Sequence, residues 1–464
     1  MQRRIVSFFP LFSRLFRFHL FSIIKVFKYK RMRDLWGLMR EYDIVVVGGG
    51  PAGCMAAKYA AKAGASTLII EENSAIGEPV QCAGLISKRA IEESELKNIG
   101  SFVNCELKGA IVHSQSHELR IESPSPDKSA FAIRRDIFDK ELAKAAMDEG
   151  ADLILNSKVK HVKRGRERDG AKLTILAAAT TTNVGVNLEE NEIKANVVIG
   201  ADGWRSGIAR MAGVGDGLTV TKNFLNCVQI EGQYEIHEPV ADIFVGKTIA
   251  PGFFAWVIPI GETTARIGLC IDKRFSPHPN PLPFLKRILS EHPVIAKKYK
   301  FGAQSQFTAG AIPIPTERQK TVKTEEGTGI LLVGDAAAQV KPITGGGVYY
   351  GMKCGKIAGE AAARACLERN MELLNGYEKR WQEEIGAEMA FGLKIHRLRC
   401  VFSDKDFDRM CQALSKYDMI QRITNRGDMD YPSFVFRELL KNPGIIMLMA
   451  KNIIKYLYAE RKIR

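Results

Sequence analysis

An apolar run, a glycine-rich turn and a segment of small residues follow one another near the start of the patterned part of the chain. The stretch "YDIVVVGGGPAGCMAAKYAAKAGASTLIIEEN" places an aliphatic run at 44–47 before the glycines and a second run at 68–70. Continuous aliphatic runs are typical of strands that a parallel sheet buries on both faces. The segment between them predicts a helix ending at Gly64, a residue suited to a left-handed C-cap. The pattern therefore predicts a β-α-β unit.

Two further aliphatic runs extend this predicted sheet. "VVIGADGWRS" predicts a buried strand ending at 201–203, and "GILLVGDAAAQVKPITGGGVYYG" predicts another, followed by Gly334, Asp335 and a small-residue helix. Upstream of both, residues 136–150 predict a helix and a strand that reaches Val159. Strands that alternate with helices predict an α/β fold with a largely parallel sheet.

The pattern changes between residues 216 and 324, where short or alternating runs such as "FLNCVQIEGQ" and "TTARIGLCID" predominate. They predict a mostly antiparallel sheet that roofs the first unit. Residues 371–464 predict a helical region with a charged exterior. The predicted organisation has four parts. An N-terminal extension (1–40) precedes a discontinuous nucleotide-binding domain (41–215 plus 325–370). A β-rich substrate domain (216–324), which takes in part of 100–135, is inserted in it, and a helical C-terminal region (371–464) follows.

The first glycines carry a nucleotide-binding pattern. Gly48, Gly50 and Gly53 form G-x-G-x-x-G, in which the first permits a tight turn, the second lets backbone approach a pyrophosphate, and the third lets helix and strand pack closely. The start of the following helix offers free N–H groups to phosphates. Glu71 ends the second strand, where a carboxylate accepts hydrogen bonds from a ribose diol. Together these features predict dinucleotide binding.

Charge is concentrated at the two ends of the chain. Residues 1–40 carry a net charge of +9 and residues 441–464 a net charge of +5, which leaves about +1 of the total +15 for everything between them. A nucleic-acid-binding protein would spread Lys and Arg over a folded face, and we expect no nucleic-acid partner. Basic, apolar ends instead suit an anionic membrane surface.

Each end allows two interpretations. The N-terminal "FFPLFSRLFRFHLFSIIKVF" is too interrupted by charge to span a membrane, and is either a surface anchor or sequence upstream of the native start at Met32 or Met39. At the other end, Asn442 and Pro443 predict a helix start, followed by apolar residues at helical spacing. That helix either packs on the protein's own core or contacts a membrane.

The nine cysteines show no Cys-x-x-Cys pair and no regular spacing. This argues against a zinc site or a cysteine-ligated iron–sulfur cluster and favours a reducing compartment. We expect no metal.

Five separated motifs identify a family resemblance: the glycine triplet with its terminal acid, "PVQCAG", the "RxxFD" pattern beginning at Arg135, "GADG", and "GDAA…PITGGG". From about Tyr42 to at least Arg380, the chain resembles the geranylgeranyl reductase family of the flavoprotein-monooxygenase superfamily. The resemblance implies a Rossmann-like FAD-binding domain of the aromatic-hydroxylase type, with a substrate domain formed mostly by an antiparallel sheet and a helical C-terminal region. It also implies that FAD is the dinucleotide.

The resemblance also implies roles for individual residues. Ala52 and Glu71 are expected at the AMP half of FAD, Arg135 or its neighbour Arg134 at cofactor phosphate or ring, and Val159 at the adenine edge. Asp335 is expected to hold the ribityl chain. The residues expected at the flavin itself are Cys82, Ala83, Gly84, Gly347 and Val348.

"PGFFAWVIP" resembles the family's substrate motif, commonly Tyr-x-Trp-x-Phe-Pro. Trp256 and Pro259 match it, whereas Phe254 stands where the family commonly has Tyr and Ile258 where it has Phe. The loss of a phenol hydroxyl makes the predicted lining purely apolar. The motif predicts an apolar tunnel for a polyprenyl chain, although these aromatic residues would also suit the core of the sheet.

The resemblance implies FAD-dependent reduction of isoprenoid double bonds in geranylgeranyl chains of membrane lipid precursors. An FAD-dependent monooxygenase or epoxidase is the alternative, with a halogenase or a non-catalytic FAD-binding adaptor as weaker ones. Cys82 is the candidate catalytic residue, through a positional role, proton delivery or reversible pairing with another cysteine. Because the chain has one glycine-triplet unit, we expect an external electron donor: reduced ferredoxin, a reduced deazaflavin or NADPH. We expect a peripheral protein at the cytoplasmic face of the membrane, or a cytoplasmic one.

Overall fold

The computed structural model describes residues 40–122, 125, 129–167, 170–180, 191–213, 223–302, 305–317 and 319–463. The expectations for the N-terminal extension, apart from Arg40, lie outside these residues.

The helices and strands follow one another in the order that an α/β unit with an inserted β-rich region requires. The strands are β1 (Arg40–Val47), β2 (Thr67–Ile70), β3 (Leu85–Ser87), β4 (Val103–Leu107), β5 (Gly109–His113), β6 (Glu118–Glu122), β7 (Ala130–Ile133), β8 (Asp152–Ile154), β9 (Ser157–Glu167), β10 (Gly170–Ala179), β11 (Asn191–Gly200), β12 (Phe224–Tyr234), β13 (Ala241–Val245), β14 (Phe254–Pro259), β15 (Thr264–Asp272), β16 (Tyr299–Lys300), β17 (Gln306–Pro313), β18 (Val322–Glu325) and β19 (Thr328–Leu332). The α-helices are α1 (Pro51–Lys62), α2 (Lys88–Ser94), α3 (Arg135–Asp148), α4 (Gly207–Ala212), α5 (Leu282–Glu291), α6 (Ile295–Lys298), α7 (Val348–Leu367), α8 (Asn375–Trp381), α9 (Ala387–Arg399), α10 (Asp404–Leu414), α11 (Tyr417–Arg426), α12 (Ser433–Leu439) and α13 (Pro443–Ile463).

The first sheet has the parallel centre that its aliphatic runs predict. Its order is β18-β19-β11-β1-β2-β8, with β10 beside β11 and β9 beside β10. Strands β19, β11, β1, β2 and β8 run parallel. Val47 pairs with both Ile70 and Gly200, and Gly200 pairs with Leu332, so the carboxyl ends of these strands meet at one edge of the sheet. This sheet takes in β18, and its last part therefore begins at Val322, three residues before the predicted bound.

Helices α1 and α7 pack backbone to backbone on this sheet. A Cβ added at Gly355 would lie 2.2 Å from the carbonyl oxygen of Ala52, and one at Gly359 would lie 2.2 Å from that of Ala56. Only glycine fits at these two contacts, so the small residues of α7 let the two helices lie side by side. Both helices begin at the carboxyl edge of the sheet.

The second sheet is mostly antiparallel, with the order β16-β12-β15-β14-β13-β5-β6 and β17 beside β12. Its parallel pair joins β13 to β5, so residues 109–122 belong to this sheet, within the 100–135 segment that the sequence left between the two domains. The other two strands of that segment, β4 and β7, join β3 in a small sheet of order β3-β7-β4. The second sheet therefore takes strands from before α3 and from after α4, on both sides of the chain segment that holds β8 to β11.

The C-terminal region is helical, as predicted, and packs through its own apolar cluster against the edge strand β6, where Leu119 is buried. Asn442 caps α13, because its Oδ1 accepts hydrogen bonds from the N–H groups of Gly444 and Ile445 at 2.9 and 3.2 Å. Among the described residues, no helix has both the length and the apolarity that crossing a bilayer requires.

Candidate active site

A cavity of about 950 Å³ lies where the carboxyl edge of the first sheet faces the second sheet. It falls at the upper end of the ~300–1,000 Å³ range of ligand pockets. The predicted cofactor residues that line it are Gly48, Gly50, Ala52, Glu71, Cys82, Ala83, Gly84, Arg135, Val159, Asp335, Gly347 and Val348. The fold thus brings together residues that lie up to 300 positions apart in the sequence.

The glycine turn has the shape that a pyrophosphate needs. Gly48 has φ +105°, and a Cβ there would lie 2.3 Å from the carbonyl oxygen of Ala201. A Cβ at Gly50 would meet no described protein atom within 4 Å, which leaves the backbone open to a ligand at the start of α1. Gly53 is different: its Cβ would lie 2.0 Å from the carbonyl oxygen of Gly48, so this glycine packs helix against turn and does not line the cavity.

Glu71 is held by the loop around it. Its Oε2 accepts the backbone N–H of Gly49 at 2.8 Å, and its Oε1 accepts the backbone and side-chain N–H groups of Asn73 at 2.9 and 2.7 Å. Val159 lines the cavity beside this group. The carboxylate is therefore buried and fixed at the end of β2, the position at which the sequence predicts a contact with ribose.

Asp335 and the start of α7 form the opposite end of the site. Burial raises the pKa of the Asp335 carboxyl to about 6, and the Arg135 guanidinium acts in the opposite direction. A Cβ at Gly347 would lie 2.9 Å from the Asp335 Oδ1, so glycine is needed next to this carboxylate. Gly347 and Val348 begin α7 and face the cavity, where the positive end of the helix dipole favours negative charge.

Of the two arginines in the predicted pair, Arg135 lines the cavity, whereas Arg134 lies exposed and pairs with Asp136. The Arg135 Nε and Nη2 each donate to an Asp139 carboxylate oxygen at 2.8 Å. Burial acts to lower the pKa of Arg135, but the Asp139 carboxylate and the Cys82 side chain outweigh it and the pKa is raised. The site therefore keeps a fixed cation next to Cys82.

The Cys82 loop, which is the segment that carries Cys82 just before β3, is held by Arg266 of the second sheet, a residue that sequence reasoning missed. The Arg266 Nη1 donates to the carbonyl oxygens of Ala83 and Ile133, both at 2.9 Å, and its Nε donates to Glu231 at 2.9 Å. Gly84 donates its N–H to the Cys82 sulfur at 3.3 Å. An arginine in an otherwise apolar strand was the available signal, but its partner could not be read from spacing.

The wall of the cavity on β14 is apolar. Phe254, Trp256 and Ile258 alternate toward the cavity, and the Trp256 indole N–H donates to the Gln229 Oε1 at 3.1 Å. The indole lies across Gly268, where a Cβ would be 2.5 Å from its Cζ2. Gln229 is thus a second residue that sequence reasoning missed, and it fixes the orientation of Trp256.

Pro259, predicted to contact substrate, does not line the cavity. Successive side chains of a strand point to opposite faces, so Phe254, Trp256 and Ile258 share one face and Pro259 lies on the other. Ile258 takes the position that the prediction gave to Pro259.

The cavity wall also holds a disulfide, between Cys227 on β12 and Cys270 on β15. The cysteine spacing favoured a reducing compartment and did not point to this pair. Cys82 is not part of this pair and is a free thiol.

A buried carboxyl, imidazole and thiol lie close together behind the wall, at Asp272, His396 and Cys400. Burial lowers the pKa of His396 to about 4, although Asp272 acts to raise it. Arg399 donates to the His396 Nδ1 at 2.9 Å, so the neutral ring carries its hydrogen on Nε2, which faces Asp272. Arg274 also donates to Asp272 at 2.7 Å. The Arg274–Asp272 ion pair and the Arg399–His396 hydrogen bond thus hold this group of side chains together.

The geometry agrees with what known proteins show. An FAD binding domain family matches residues 41–383. The digeranylgeranylglycerophospholipid reductase of Methanocaldococcus jannaschii is 34% identical over 421 residues, covering 88% of this chain and 98% of that protein. Digeranylgeranylglycerophospholipid reductase 2 of Methanothermobacter thermautotrophicus is 33% identical over 410 residues, covering 86% of this chain and 100% of that protein.

Solved structures give the same picture. A geranylgeranyl bacteriochlorophyll reductase-like protein from Thermoplasma acidophilum superposes with a TM-score of 0.73 at 28% identity, covering 87% of this chain and 100% of that one. A flavin-dependent brominase, at TM-score 0.60 and 18% identity over 86% of this chain and 98% of its own, shares the fold.

The predicted fold class and the FAD cofactor are therefore confirmed. Since the family matches most of this chain and the reductases match it nearly end to end, the chain belongs to the FAD-binding flavoproteins and, among them, to the family of digeranylgeranylglycerophospholipid reductases.

Proposed function

We propose that this protein uses FAD to reduce the isoprenoid double bonds of geranylgeranyl chains in membrane lipid precursors, as in the conversion of digeranylgeranylglycerophospholipid to a saturated archaeol-type lipid. The observation that carries the proposal is a single cavity that holds the FAD-site residues on one side and an apolar wall of Phe254, Trp256 and Ile258 on the other. The names of the most similar relatives support the same substrate class.

The chain's residues supply positioning and a dry environment. Reduced FAD supplies a hydride when it is bound, and an isolated alkene accepts one only if it is held close and water is excluded. The prenyl chain is buried against the apolar wall, and this burial contributes roughly 0.8 kcal/mol per CH₂. The N–H groups at the start of α7 would stabilise negative charge on the part of the bound cofactor that lies against them.

Cys82 has a positioning role in this proposal. Arg135 and the Gly84 N–H hold its sulfur, and Arg266 holds the adjoining backbone. A thiol is a weak acid toward an alkene, so direct protonation of the substrate by Cys82 is disfavoured. A Cys82→Ala variant should lose turnover and change the flavin absorption spectrum; wild-type turnover with an unchanged spectrum would refute the role.

The central experiment is an assay done without oxygen and repeated in air. Holoprotein, reduced with dithionite, is incubated with digeranylgeranylglycerophospholipid, and the products are weighed by mass spectrometry. We expect a gain of two hydrogens per reduced double bond, without oxygen. A gain of oxygen in air would indicate the monooxygenase alternative, and an unchanged lipid under both conditions would reject the reductase. Supplying reduced ferredoxin, a reduced deazaflavin or NADPH in place of dithionite identifies the donor.

The surface of α13 supports peripheral binding to the membrane that holds this substrate. Met447 and Ile454, seven residues apart, are 75% and 70% exposed, and Ile446, Ile453 and Leu457 are exposed beside them. The opposite face of the helix is buried against the C-terminal cluster. One face of the tail therefore packs on the protein's own core, and the exposed apolar face supports the other interpretation, contact with a membrane. Exposed apolar stripes of this kind mark membrane or protein contacts.

Lys451 lies four residues after Met447, on the same face of α13, and an exposed basic side chain there suits an anionic lipid surface. The test is flotation of holoprotein with vesicles of phosphatidylglycerol or of phosphatidylcholine alone. A Met447→Lys/Ile454→Lys variant should float less than wild type, whereas Ile99→Lys, an exposed apolar position in the nucleotide-binding half, should not change flotation. Equal flotation of all three proteins would reject the α13 contact.

A further inference from the structure

Two cysteines face each other in the wall of the substrate cavity. Cys227 on β12 and Cys270 on β15 are register partners in an antiparallel pair, with a Cα–Cα distance of 4.1 Å. Directly opposed residues of neighbouring strands stay in contact whatever their side chains do, because the ladder on either side holds the two backbones. This pair therefore forms and breaks its bond without the strands having to separate.

Both cysteines line the cavity, and the pair adjoins the apolar wall on one side and the Cys82 loop on the other. Ala255 pairs with Leu269, which places Cys270 alongside Phe254. Gly310 pairs with Cys227, and a Cβ at Gly310 would lie 3.7 Å from the carbonyl oxygen of Gln81. The pair thus bridges the elements that hold substrate and the loop that holds Cys82.

The two sulfurs differ in access. Cys227 is partly exposed, and its exposure opens on the cavity, whereas Cys270 is fully buried. A small thiol that enters the cavity can attack the Cys227 sulfur. Apart from Cys82, the remaining cysteines do not line the cavity; they are Cys54, Cys105, Cys354, Cys366, Cys400 and Cys411.

We propose that Cys227 and Cys270 form a reversible disulfide whose state sets the width of the prenyl cavity; the effect on substrate rests on the function proposed above. The reaction is exchange with a low-molecular-weight thiol: the protein disulfide and two RSH give two protein thiols and one RSSR. The Cys227–Cys270 bond breaks, the RS–SR bond forms, and the two thiol protons pass to the protein sulfurs, so the protein pair gains two electrons.

Reduction narrows the cavity beside Phe254. Two thiols cannot approach as closely as two bonded sulfurs, and Cys227, the partly exposed member of the pair, has the cavity beside it, whereas Cys270 is fully buried. One methylene group in an apolar pocket is worth about 10- to 200-fold in affinity, and the shift of one sulfur is smaller, so we expect a change of about three- to tenfold. The dithiol form is therefore expected to bind a geranylgeranyl chain more weakly than the disulfide form.

The first arm of the test measures the bond itself. Holoprotein is equilibrated with oxidised or reduced dithiothreitol, alkylated with N-ethylmaleimide and weighed as the intact protein. We expect two more alkyl groups in the reduced sample, on the peptides that contain Cys227 and Cys270. A Cys227→Ser/Cys270→Ser variant should lose this increment, and a Cys105→Ser variant, altered outside the cavity, should keep it. Full alkylation of both cysteines in the oxidised sample would overturn the proposal.

The second arm measures ligand affinity in both states from the change that geranylgeraniol causes in the absorption of oxidised FAD. We expect about three- to tenfold weaker binding to the dithiol form, and no dependence on the redox buffer in the double serine variant. Equal affinity in both states would overturn the proposed effect on the cavity. If geranylgeraniol binds neither state, the proposed function fails, and the alkylation arm alone decides on the reversible disulfide.

Discussion

The two sides of the cavity are specified in different ways. On the nucleotide side, the glycine turn is formed by backbone contacts between residues close in sequence, as where Gly53 packs on Gly48 five residues earlier, and distant backbone contacts such as that of Gly355 with Ala52 hold it in place. On the substrate side, side chains meet across long separations: Trp256 and Gln229 are 27 positions apart, and Arg266 and Ala83 are 183 apart. The first side depends on which residue types fit a local turn, and the second depends on strand register. Substitutions should therefore fail differently on the two sides.

The largest effect is expected from Gly53→Ala. A Cβ there would lie 2.0 Å from the backbone oxygen of Gly48, and neither the turn nor α1 can move away without disturbing the other. We expect protein without bound FAD, and a free energy of unfolding lower by about 3 kcal/mol. FAD absorbance per mole of protein and urea unfolding measure the two effects.

Gly50→Ala is the matched control for Gly53→Ala. The φ of Gly50 is −73°, and a Cβ at this position would meet open space in the protein. Its unfolding free energy should change by less than about 1 kcal/mol, while its affinity for FAD falls because the added methyl enters the path of the pyrophosphate. Unchanged FAD affinity in Gly50→Ala would contradict the placement of the pyrophosphate at this turn.

The same difference explains how far sequence reasoning reached. The glycine turn and Glu71 could be predicted because each follows a strand whose end is visible as the last of an aliphatic run, whereas the role expected of Asp335 came from the family resemblance. Their meeting at one edge follows from parallel pairing. The fold class followed from the same runs.

The substrate side was predicted less completely, since its contacts depend on register. The apolar character of Phe254 and Trp256 was visible in the sequence, but which face each residue of β14 takes was not, and Pro259 was therefore assigned wrongly to the cavity lining. The pairing of Cys227 with Cys270 requires knowing that β12 lies against β15. No local pattern gives that neighbour.

Arg266 tests the substrate side most directly. Arg266→Met leaves the carbonyl oxygens of Ala83 and Ile133 and the Glu231 carboxylate without this donor, and each unsatisfied buried group costs about 1–3 kcal/mol. Because the lost bonds hold the Cys82 loop and not the glycine turn, we expect turnover to fall about 10- to 100-fold while FAD stays bound. Prenyl reduction per bound FAD is the measurement.

Arg120→Met provides the control for Arg266, since Arg120 is an exposed residue of the same sheet that pairs with Glu238. It should leave turnover unchanged. Arg266→Lys should recover only part of the activity, because one ammonium cannot reproduce the planar guanidinium geometry. Loss of FAD in Arg266→Met would show that the two sides are not separable at this point.

Asp335 gives a smaller effect that depends on pH. Its folded-state pKa of about 6 lies above the ordinary value, so in the apoprotein its contribution to stability is present below about pH 4 and is lost as the pH rises through 6. The loss should amount to at most about 3 kcal/mol, and Asp335→Asn should lack it. A ribityl hydroxyl that donates to the carboxylate favours the ionised form. The Kd for FAD should therefore fall by about tenfold from pH 5 to pH 7 in the wild type and stay flat in Asp335→Asn.

The smallest effect is expected where the substrate wall departs from its family's usual pattern. The Phe254 ring stacks on Phe253 with centroids 4.4 Å apart, and it lies on an apolar face of the cavity. Phe254→Tyr restores the hydroxyl common in the family motif but gives it apolar surroundings, and burying a polar group there weakens substrate binding. We expect the KM for a geranylgeranyl lipid to rise about two- to threefold, with kcat and FAD content unchanged. Steady-state kinetics at fixed reduced donor measure this split. A large rise in kcat would instead mean that the hydroxyl takes part in the reaction and that this chain lacks that group. Such a result would contradict the proposal that the wall serves only to bury the prenyl chain.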